Sequence, residues 1–471
     1  MTSEASPSEV SEAAARHRGQ SRRMHLGAFL LESGHHVAAW RHPDVPPHAG
    51  VDLALYQHLA REAEAACLDA IFLADSVATE DGPGAERLSR SSRFEPLTLL
   101  SALAAGTSRI GLVSTVTTSY NEPYTVARQL ASLDHLSGGR VGWNLVTSDN
   151  ANEAGNFGRD AHLAHGDRYR RAQEFLAVAQ GLWDSWEDDA LIDDRDQGLY
   201  YDPTRRHVLN HRGEHFRVRG PLNVPRSPQG RPVIVQAGAS EPGRQLAAAS
   251  AELVFTAQPT RARAQAFYAD LKSRAEAAGR PRDALKILPG AYVLVAPTRA
   301  EAEDRQAELQ SLVHRDTALG LLSRMIGNID LRGLDWDAPL PELPLTDSGQ
   351  RSRQQLLTQL GHDGGLTLGQ LAMKIAGGRG HLSAIGSVSD VADILQDWFE
   401  HDAADGFNLM PPLLPTGFEA ITRLLVPELQ RRGLFRTRYE GTTLRDHLGL
   451  ARPAHPGHIK AIANTLVKEF P

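Results

Sequence analysis

Eight short β-rich runs, each followed by a helical stretch, predict an α/β fold for this 471-residue chain. The class is a TIM (β/α)8 barrel with large insertions at the C-terminal face of the strands. Three observations carry the prediction. Strand and helix signals alternate along most of the chain, the order that crossover helices between parallel strands produce. A plain barrel needs about 250 residues, and two long irregular stretches absorb much of the excess. A doubly wound sheet would announce a glycine-rich phosphate turn after its first strand, and the residues there (ESGHHVAAWR) are not one.

The elements follow in order. Residues 24–31 (MHLGAFLL) form the first strand, and 52–66 a helix with Asp52 as its cap. Residues 69–74 (DAIFLA) are the second strand, ending at Asp75, and 95–105 the next helix. Residues 109–115 (RIGLVST) lead to a helix over 123–136, closed by Ser137-Gly138-Gly139. Residues 140–146 (RVGWNLV) lead to a helix over 168–185. The stretch 186–230 is rich in Asp, Arg, Pro and Gly and reads as an insertion. Alternation resumes with a strand at 232–236 (PVIVQ), a helix at 240–250, a strand at 253–256 and a helix at 260–278. The seventh strand is 284–295, with a helical pattern from about 299. Residues 316–385 read as a second irregular insertion. A helix at 387–401, a last strand at 406–410 (GFNLM) and a helix at 417–432 complete the pattern. Residues 24–450 make one domain, between a polar N-terminus (1–23) and a tail (451–471). The stretch from 433 reads as a surface arm or oligomer contact.

Composition bounds the function. With 41% hydrophobic and 23% charged residues and a net charge of −7, the chain can bury a large core. No basic stripe suggests a nucleic-acid partner. No run of about 18 apolar residues marks a membrane span or signal, so a cytoplasmic enzyme is expected. The single cysteine, Cys67, allows no disulfide framework within the chain. It reads as a buried structural thiol.

In such a barrel the chemistry lies past the C-terminal ends of the strands. The first strand leads to His35 and His36, the second to Asp75. The third leads to Thr115, with Thr117, Thr118 and Tyr120 beyond. The fourth carries Asn144 and runs into Thr147-Ser148, and the fifth enters Gln236-Ala237-Gly238-Ala239-Ser240. This ring of neutral hydrogen-bonding groups suits a polar heteroaromatic ligand better than a metal or a glycoside. Gly238-Ala239-Ser240 precedes a helix and could face an anion with its N–H groups, or Ser240 could simply cap that helix. His165 and Tyr169 share one helical face, either as ligand contacts or as a solvated helix start. Trp143 and Trp40 read as packing residues.

The chain resembles the bacterial luciferase-like flavin monooxygenases, in the branch of nitrilotriacetate, dibenzothiophene-sulfone and long-chain alkane monooxygenases. The similarity runs from about residue 24 to about 450. It rests on AAWRHPD (38–44), IFLADSV (71–77), YNEPYTVARQLASLDHLSGGRVGWNLVTS (120–148), NFG (156–158) and HGDRYRRAQEFL (165–176). It continues through RGPLNVPRSPQGRPVIVQAGASEPGR (219–244), DGFNLM (405–410) and VPELQRRGLFRTRYEGTTLRDHLGL (426–450). The resemblance implies that Asp75, Thr115, Asn144, His165, Tyr169 and Ser240 contact FMN. Asp75, Thr115 and Asn144 would lie near the ring system, the others toward ribityl and phosphate. Relatives often carry Gly-Ser-Ser where Gly238-Ala239-Ser240 stands, so one phosphate hydroxyl is missing at Ala239.

The implied activity is that of a two-component monooxygenase. FMNH2 would come from a separate NAD(P)H-dependent flavin reductase. O2 would form a flavin C4a-peroxide, and one oxygen atom would enter a small organic substrate. No metal is expected. His35, then His36, are the candidates for managing protons. The insertions at 186–230 and 316–385 are the candidates for covering the mouth. The family pattern implies a homodimer or homotetramer. The rival readings are a deazaflavin (F420)-dependent oxidoreductase of the same superfamily and a metal-dependent TIM-barrel hydrolase.

Overall fold

The fold is seen in a computed structural model that describes residues 22–79, 84–148, 150–344 and 351–457. Most of the polar N-terminus and the end of the tail, residues 1–21 and 458–471, lie outside the described residues.

Nine parallel strands form one sheet: β1 (His25–Leu30), β2 (Ala70–Leu73), β3 (Gly111–Thr117), β4 (Val141–Val146), β5 (Val233–Gln236), β6 (Leu253–Thr256), β7 (Lys286–Ala296), β8 (Leu382–Ser387) and β9 (Gly406–Met410). Eight of them close into a barrel. β1 to β6 pair in sequence, β6 pairs with β7 from Leu253↔Lys286, β7 with β9 from Gly290↔Asn408, and β9 with β1 from His25↔Gly406. A Cβ at Gly406 would collide with the His25 carbonyl, so the close entry of β9 needs glycine.

β8 stands outside the closed barrel and pairs further along β7 at Ala291–Ala296. Sequence reading missed it. Its six residues, LSAIGS, follow the Gly-Gly-Arg-Gly run at 377–380, and small polar residues hide the strand pattern. The other strands match their expected positions to within a few residues, and Gly406–Met410 matches to the residue.

Helices wrap the barrel: α1 (Leu53–Ala65), α2 (Pro96–Ala104), α3 (Pro123–Ser137), α4 (His165–Trp183), α5 (Glu241–Ser250), α6 (Arg261–Ala277), α7 (Arg299–Ser311), α8 (Arg315–Met325), α9 (Arg351–Asp363), α10 (Leu368–Gly378) and α11 (Val388–Glu400). Asp52 caps α1 by accepting from Leu55 N, as its position suggested. Inside the barrel Phe29, Phe72, Val113, Val235, Leu288 and Met410 pack into a filled core. Trp143 is fully buried on the outer side of β4 against Phe175 and Trp183, a packing role, whereas Trp40 is exposed.

Two insertions behave differently from each other. Residues 186–230 leave the C-terminus of α4 and return to the start of β5. Their Gln229 donates to Asp134 (2.7 Å) and to Val141 O (2.8 Å), so they cover the N-terminal end of the barrel. They hold two small hairpins and line no part of the mouth, contrary to the expectation that they cover it. Residues 316–385 are largely helical rather than irregular. α8, α9 and α10 pack a separate apolar core from Leu322, Leu357, Leu371 and Ile375, joined by Val37 of the loop after β1.

The described stretch 433–457 is not a surface arm. Leu444 and Leu448 of a short helix (Leu444–Leu448) plug the base of the barrel against β3 and β4. Arg436 pairs with buried Asp69, and Tyr439 donates to Leu68 O at 2.7 Å. Cys67 is half-buried rather than buried, with a left-handed φ of +62° after α1.

The base carries buried carboxylates that fasten strand starts. Asp405 accepts from Ile287 N (2.9 Å) and Tyr268 OH (2.8 Å), and pairs with Lys272 (2.9 Å) and Arg22 (3.0 Å). Burial pushes its carboxyl up, but Lys272 and Arg22 outweigh this and hold it below the usual carboxylate range. Its stabilising contribution is therefore present above the unfolded pKa of about 4 and lost as pH falls through the folded one. Asp405→Ala would leave Lys272 buried and unpaired, so urea titration at pH 7 should show a loss of about 3–5 kcal/mol. The deficit should shrink below about pH 4. A loss of less than about 1 kcal/mol at pH 7 would show that the strap is not under load.

Candidate functional site

The C-terminal rim of the barrel encloses a cavity of about 1140 Å³. That is somewhat larger than the ~300–1,000 Å³ of ordinary small-molecule sites, so a nucleotide-sized group and a second small molecule fit together. Phe29 and Phe255, with ring centroids 5.3 Å apart, contribute an apolar base. The wall over β2–β4 carries Asp75, Thr115, Thr117 and the loop after β4. Across it, Gln236–Ser240 and the first turn of α5 form another wall, and α8–α10 complete the enclosure.

Register places Thr115 and Asn144 side by side, because they are Cα partners between β3 and β4. Asn144 Nδ2 donates to Thr115 Oγ1 at 2.8 Å. Thr115 lines the cavity and Asn144 stands behind it, with its Oδ1 buried and without a hydrogen-bond partner. A buried amide oxygen without a donor is costly, so a site that supplies one is favoured here.

Asp75 also lines the cavity, just past β2. Burial is the main reason that its carboxyl is pushed up to about 6. Arg93 opposes this, and Glu95 and Glu153 add to it. Ser76 donates to Glu153 at 2.7 Å, which holds the loop after β4 against the loop after β2.

Opposite stands a polar cradle. His165 and Tyr169 lie one turn apart on α4 with ring centroids at 5.0 Å, and both line the cavity. Tyr169 OH lies 3.2 Å from Ser240 Oγ. Ser240 accepts from Gly243 N at 3.3 Å, so it caps α5 and faces the cavity at once. The two sequence alternatives for Ser240 are therefore both satisfied. A Cβ on Gly238 would come within 3.1 Å of Gly243 Cα, so glycine at both positions lets the turn fold tightly beneath Tyr169. The backbone N–H groups at the start of α5 then face a site suited to an anion.

His35 and His36 are placed elsewhere. Both are buried and neither lines the cavity. His35 Nε2 contacts Phe29 O at 2.9 Å, and its Nδ1 faces the Arg379 guanidinium. Nδ1 must accept from Arg379, so Nε2 carries the proton and donates to Phe29 O. Burial and then Arg379 push the imidazole well below its usual pKa, so the ring is neutral. His36 accepts from Ala38 N at 3.3 Å, and burial lowers its pKa to about 4.

Sequence reading overlooked the arginines. Arg90, Arg324, Arg353 and Arg379 all line the cavity, with His381 beside Phe255 (ring centroids 5.2 Å apart). They come from the loop after β2 and from α8, α9 and the end of α10. No spacing motif joins them. The basic groups at 205–219 do not line the cavity.

With the geometry established, relatives place the molecule. The luciferase-like monooxygenase family matches residues 34–355. Nitrilotriacetate monooxygenase component A of Aminobacter aminovorans is 50% identical over 445 residues, covering 92% of this chain and 98% of that protein. N-acetyl-S-(2-succino)cysteine monooxygenase of Bacillus subtilis (strain 168) is 47% identical, covering 93% and 98%. Riboflavin lyase, solved with modified FMN and its substrate riboflavin, superposes with a TM-score of 0.83 at 33% identity, covering 93% and 99%. The chain belongs to the luciferase-like monooxygenase family and is a monooxygenase.

The raised carboxyl of Asp75 gives a prediction. The folded state keeps a proton there that the unfolded chain has lost between about pH 4 and 6. The associated stability is full below about pH 4 and lost as pH rises through about 6. Asp75→Asn should therefore raise the thermal midpoint by about 2–4 °C at pH 8, and the margin should close by pH 4–5. An equal margin at both pH values would mean that charge at Asp75 is not its source.

Proposed function

We propose that this monooxygenase uses FMN in its reduced form, delivered by a separate NAD(P)H-dependent flavin reductase, to oxidise a small organic molecule with O2. The observation that carries the reading is the convergence of Asp75, Thr115, Tyr169 and Ser240 on one cavity, from four different elements, with Asn144 behind Thr115. The orphaned Asn144 oxygen and the glycine cradle beneath Tyr169 fit a flavin with a phosphate tail. The designation "component A" of the Aminobacter relative supports a reductase partner.

The residues divide the work. Thr115, backed by Asn144, and Asp75 would hold the polar edge of the ring system. His165, Tyr169, Ser240 and the N–H groups of α5 would hold the phosphate, with Ala239 contributing only its backbone. Bound reduced flavin would supply activation of O2, with one oxygen atom entering substrate and the other leaving as water. The phenyl groups of Phe29 and Phe255 keep the base of the cavity dry, which limits wasted discharge to hydrogen peroxide. Asp75, pushed up to about 6, can hold or release a proton near neutral pH. His35 and His36 act through the loop after β1 rather than by direct proton transfer, since both lie beneath the cavity surface.

Anaerobic titration tests the assignment. Reduced FMN should bind, and Tyr169→Phe and Ser240→Ala should each weaken it about tenfold, as loss of a hydrogen bond to a charged group does. Riboflavin, which lacks the phosphate, should bind both variants and the parent within about twofold. With an unrelated flavin reductase and 18O2, product should carry one labelled oxygen. Failure to bind FMN in either redox state would end this reading.

A further inference from the structure

The insertion at 186–230 carries apolar side chains that the folded chain leaves uncovered. Half of the exposed large apolar residues among the described residues fall in one short stretch of it: Leu191, Ile192, Leu199, Tyr200 and Val208. Scattered exposed apolar residues are ordinary, but a cluster marks an interaction surface. The first hairpin pairs Leu191–Asp194 with Leu199–Tyr201. Leu199 and Tyr200 are neighbours on one strand, so they point to opposite faces. Both are exposed, Tyr200 to 65%, so neither face is covered at that point. The root of the hairpin is held, where Tyr201 meets Trp186 with ring centroids 5.3 Å apart and the Arg206 guanidinium stands over Tyr201. A two-stranded hairpin is marginal by itself in water and gains by packing on another element. A standard interface takes roughly 20–30 residues a side. Residues 186–219 offer such a stretch, since only Trp186, Ala190 and Phe216 within it are buried.

The same stretch is divided by charge. The first hairpin carries Asp193, Asp194 and Asp196 against Arg195. The second hairpin (His211–Arg212 with Arg217–Val218) and its flank carry Arg212, Arg217 and Arg219 against Glu214. Asp194 is used within its own turn, where it accepts from Asp196 N at 3.0 Å and Gln197 N at 2.9 Å. Asp193, Asp196, Arg212, Arg217 and Arg219 are exposed, and none has an ion-pair partner among the described residues. Carboxylates along an open strand oppose edge-to-edge pairing, which leaves the faces of the hairpin as its contact surface. A surface with an acidic and a basic end is complementary to itself under a twofold axis, because each end then meets its opposite on the other copy. Both signs on one continuous surface are what favour a second copy over an unrelated partner.

We propose that two copies of this chain associate through residues 186–219. The first hairpin of each copy is an arm that packs on the second hairpin of the other, around Val208. Asp193 and Asp196 of one copy then stand opposite Arg212, Arg217 and Arg219 of the other. The second hairpin is seated on the outside of α4, where Glu174 accepts from His215 N at 2.8 Å and from Phe216 N at 2.9 Å. The first turn of α4 carries His165 and Tyr169 into the cavity. Association therefore braces the helix that holds two cavity residues, and no part of the contact lines the cavity itself.

The test is sedimentation velocity with light scattering on the full chain at micromolar concentration. The parent should run as a dimer or an even multiple of one. Leu199→Asp and Tyr200→Asp should each weaken the contact about tenfold or more and halve the assembly. Circular dichroism and melting temperature should not change, because both residues are exposed. Two charge reversals give an independent measurement. Asp193→Arg with Asp196→Arg reverses the arm, and Arg212→Glu with Arg217→Glu reverses the second hairpin. Each double variant alone places like charges opposite each other and should associate more weakly. An equimolar mixture of the two should recover the parent assembly, because every arm then faces a hairpin of opposite sign. A monomeric parent would overturn the proposal, as would an unchanged assembly in both Asp variants or a mixture that fails to recover. Reduced-FMN binding should be the same in all of these proteins, and a failure there would count against the cofactor reading alone.

Discussion

Parallel pairing around the whole barrel is the constraint on which the rest depends. Once β6 meets β7 and β9 meets β1, every strand ends on the same rim. Residues far apart in sequence, such as Asp75, Asn144 and Ser240, are then brought to one opening without contacts dedicated to that purpose. The opposite rim bears the mechanical load. There Asp69 accepts from Leu26 N at 2.6 Å, Asp134 from Val141 N at 2.9 Å and Asp405 from Ile287 N at 2.9 Å. Each buried carboxylate satisfies the backbone at the start of a strand, and Asp69 and Asp405 also meet cations. These bonds fix where the strands begin, and hence where they end.

Both rims hold their arginines within the chain. At the base Arg436 pairs with Asp69, Arg445 with Glu252, and Arg140 donates to four backbone carbonyls and to Thr107 Oγ1. These groups are compensated in the folded chain itself. At the mouth Arg244 pairs with Asp270 at 2.9 Å, and Arg379 donates to the His35 imidazole and is attracted by Glu32.

Much of this was legible in the sequence, for physical reasons. Alternation of strand and helix reveals a barrel because each period is local. The end of each strand can be read, so Asp75, Thr115 and Ser240 are found at the rim. The same logic fails for the arginines, because Arg90, Arg324, Arg353 and Arg379 sit on separate elements and share no spacing. It fails for β8 because four of its six residues are Ser, Ala or Gly and the strand follows three glycines. His35 was sought as a proton carrier because histidine titrates near neutrality. Burial and a neighbouring cation remove that property, and only three-dimensional packing shows either. The insertion at 186–230 was expected at the mouth. The segment starts and ends at the base, because it joins a helix end to the next strand, and it packs from there along the outside of α4 at Glu174 and Phe175.

The loop after β1 links the two halves of the cavity. His35 donates to Phe29 O, and Phe29 forms part of the base beside the proposed flavin. The same ring accepts from Arg379, which lines the cavity at the end of α10. Two residues on, Val37 N donates to Ala376 O at 2.8 Å, and Val37 joins the apolar core of α8–α10. A shift of α10 must therefore move this loop, and a shift of the loop must move Phe29. One neutral side chain suffices for the link because it accepts on one nitrogen and donates on the other. A protonated imidazole would offer donors on both nitrogens and would repel Arg379. The low pKa of His35 is thus a requirement of the connection, not an incidental result of burial.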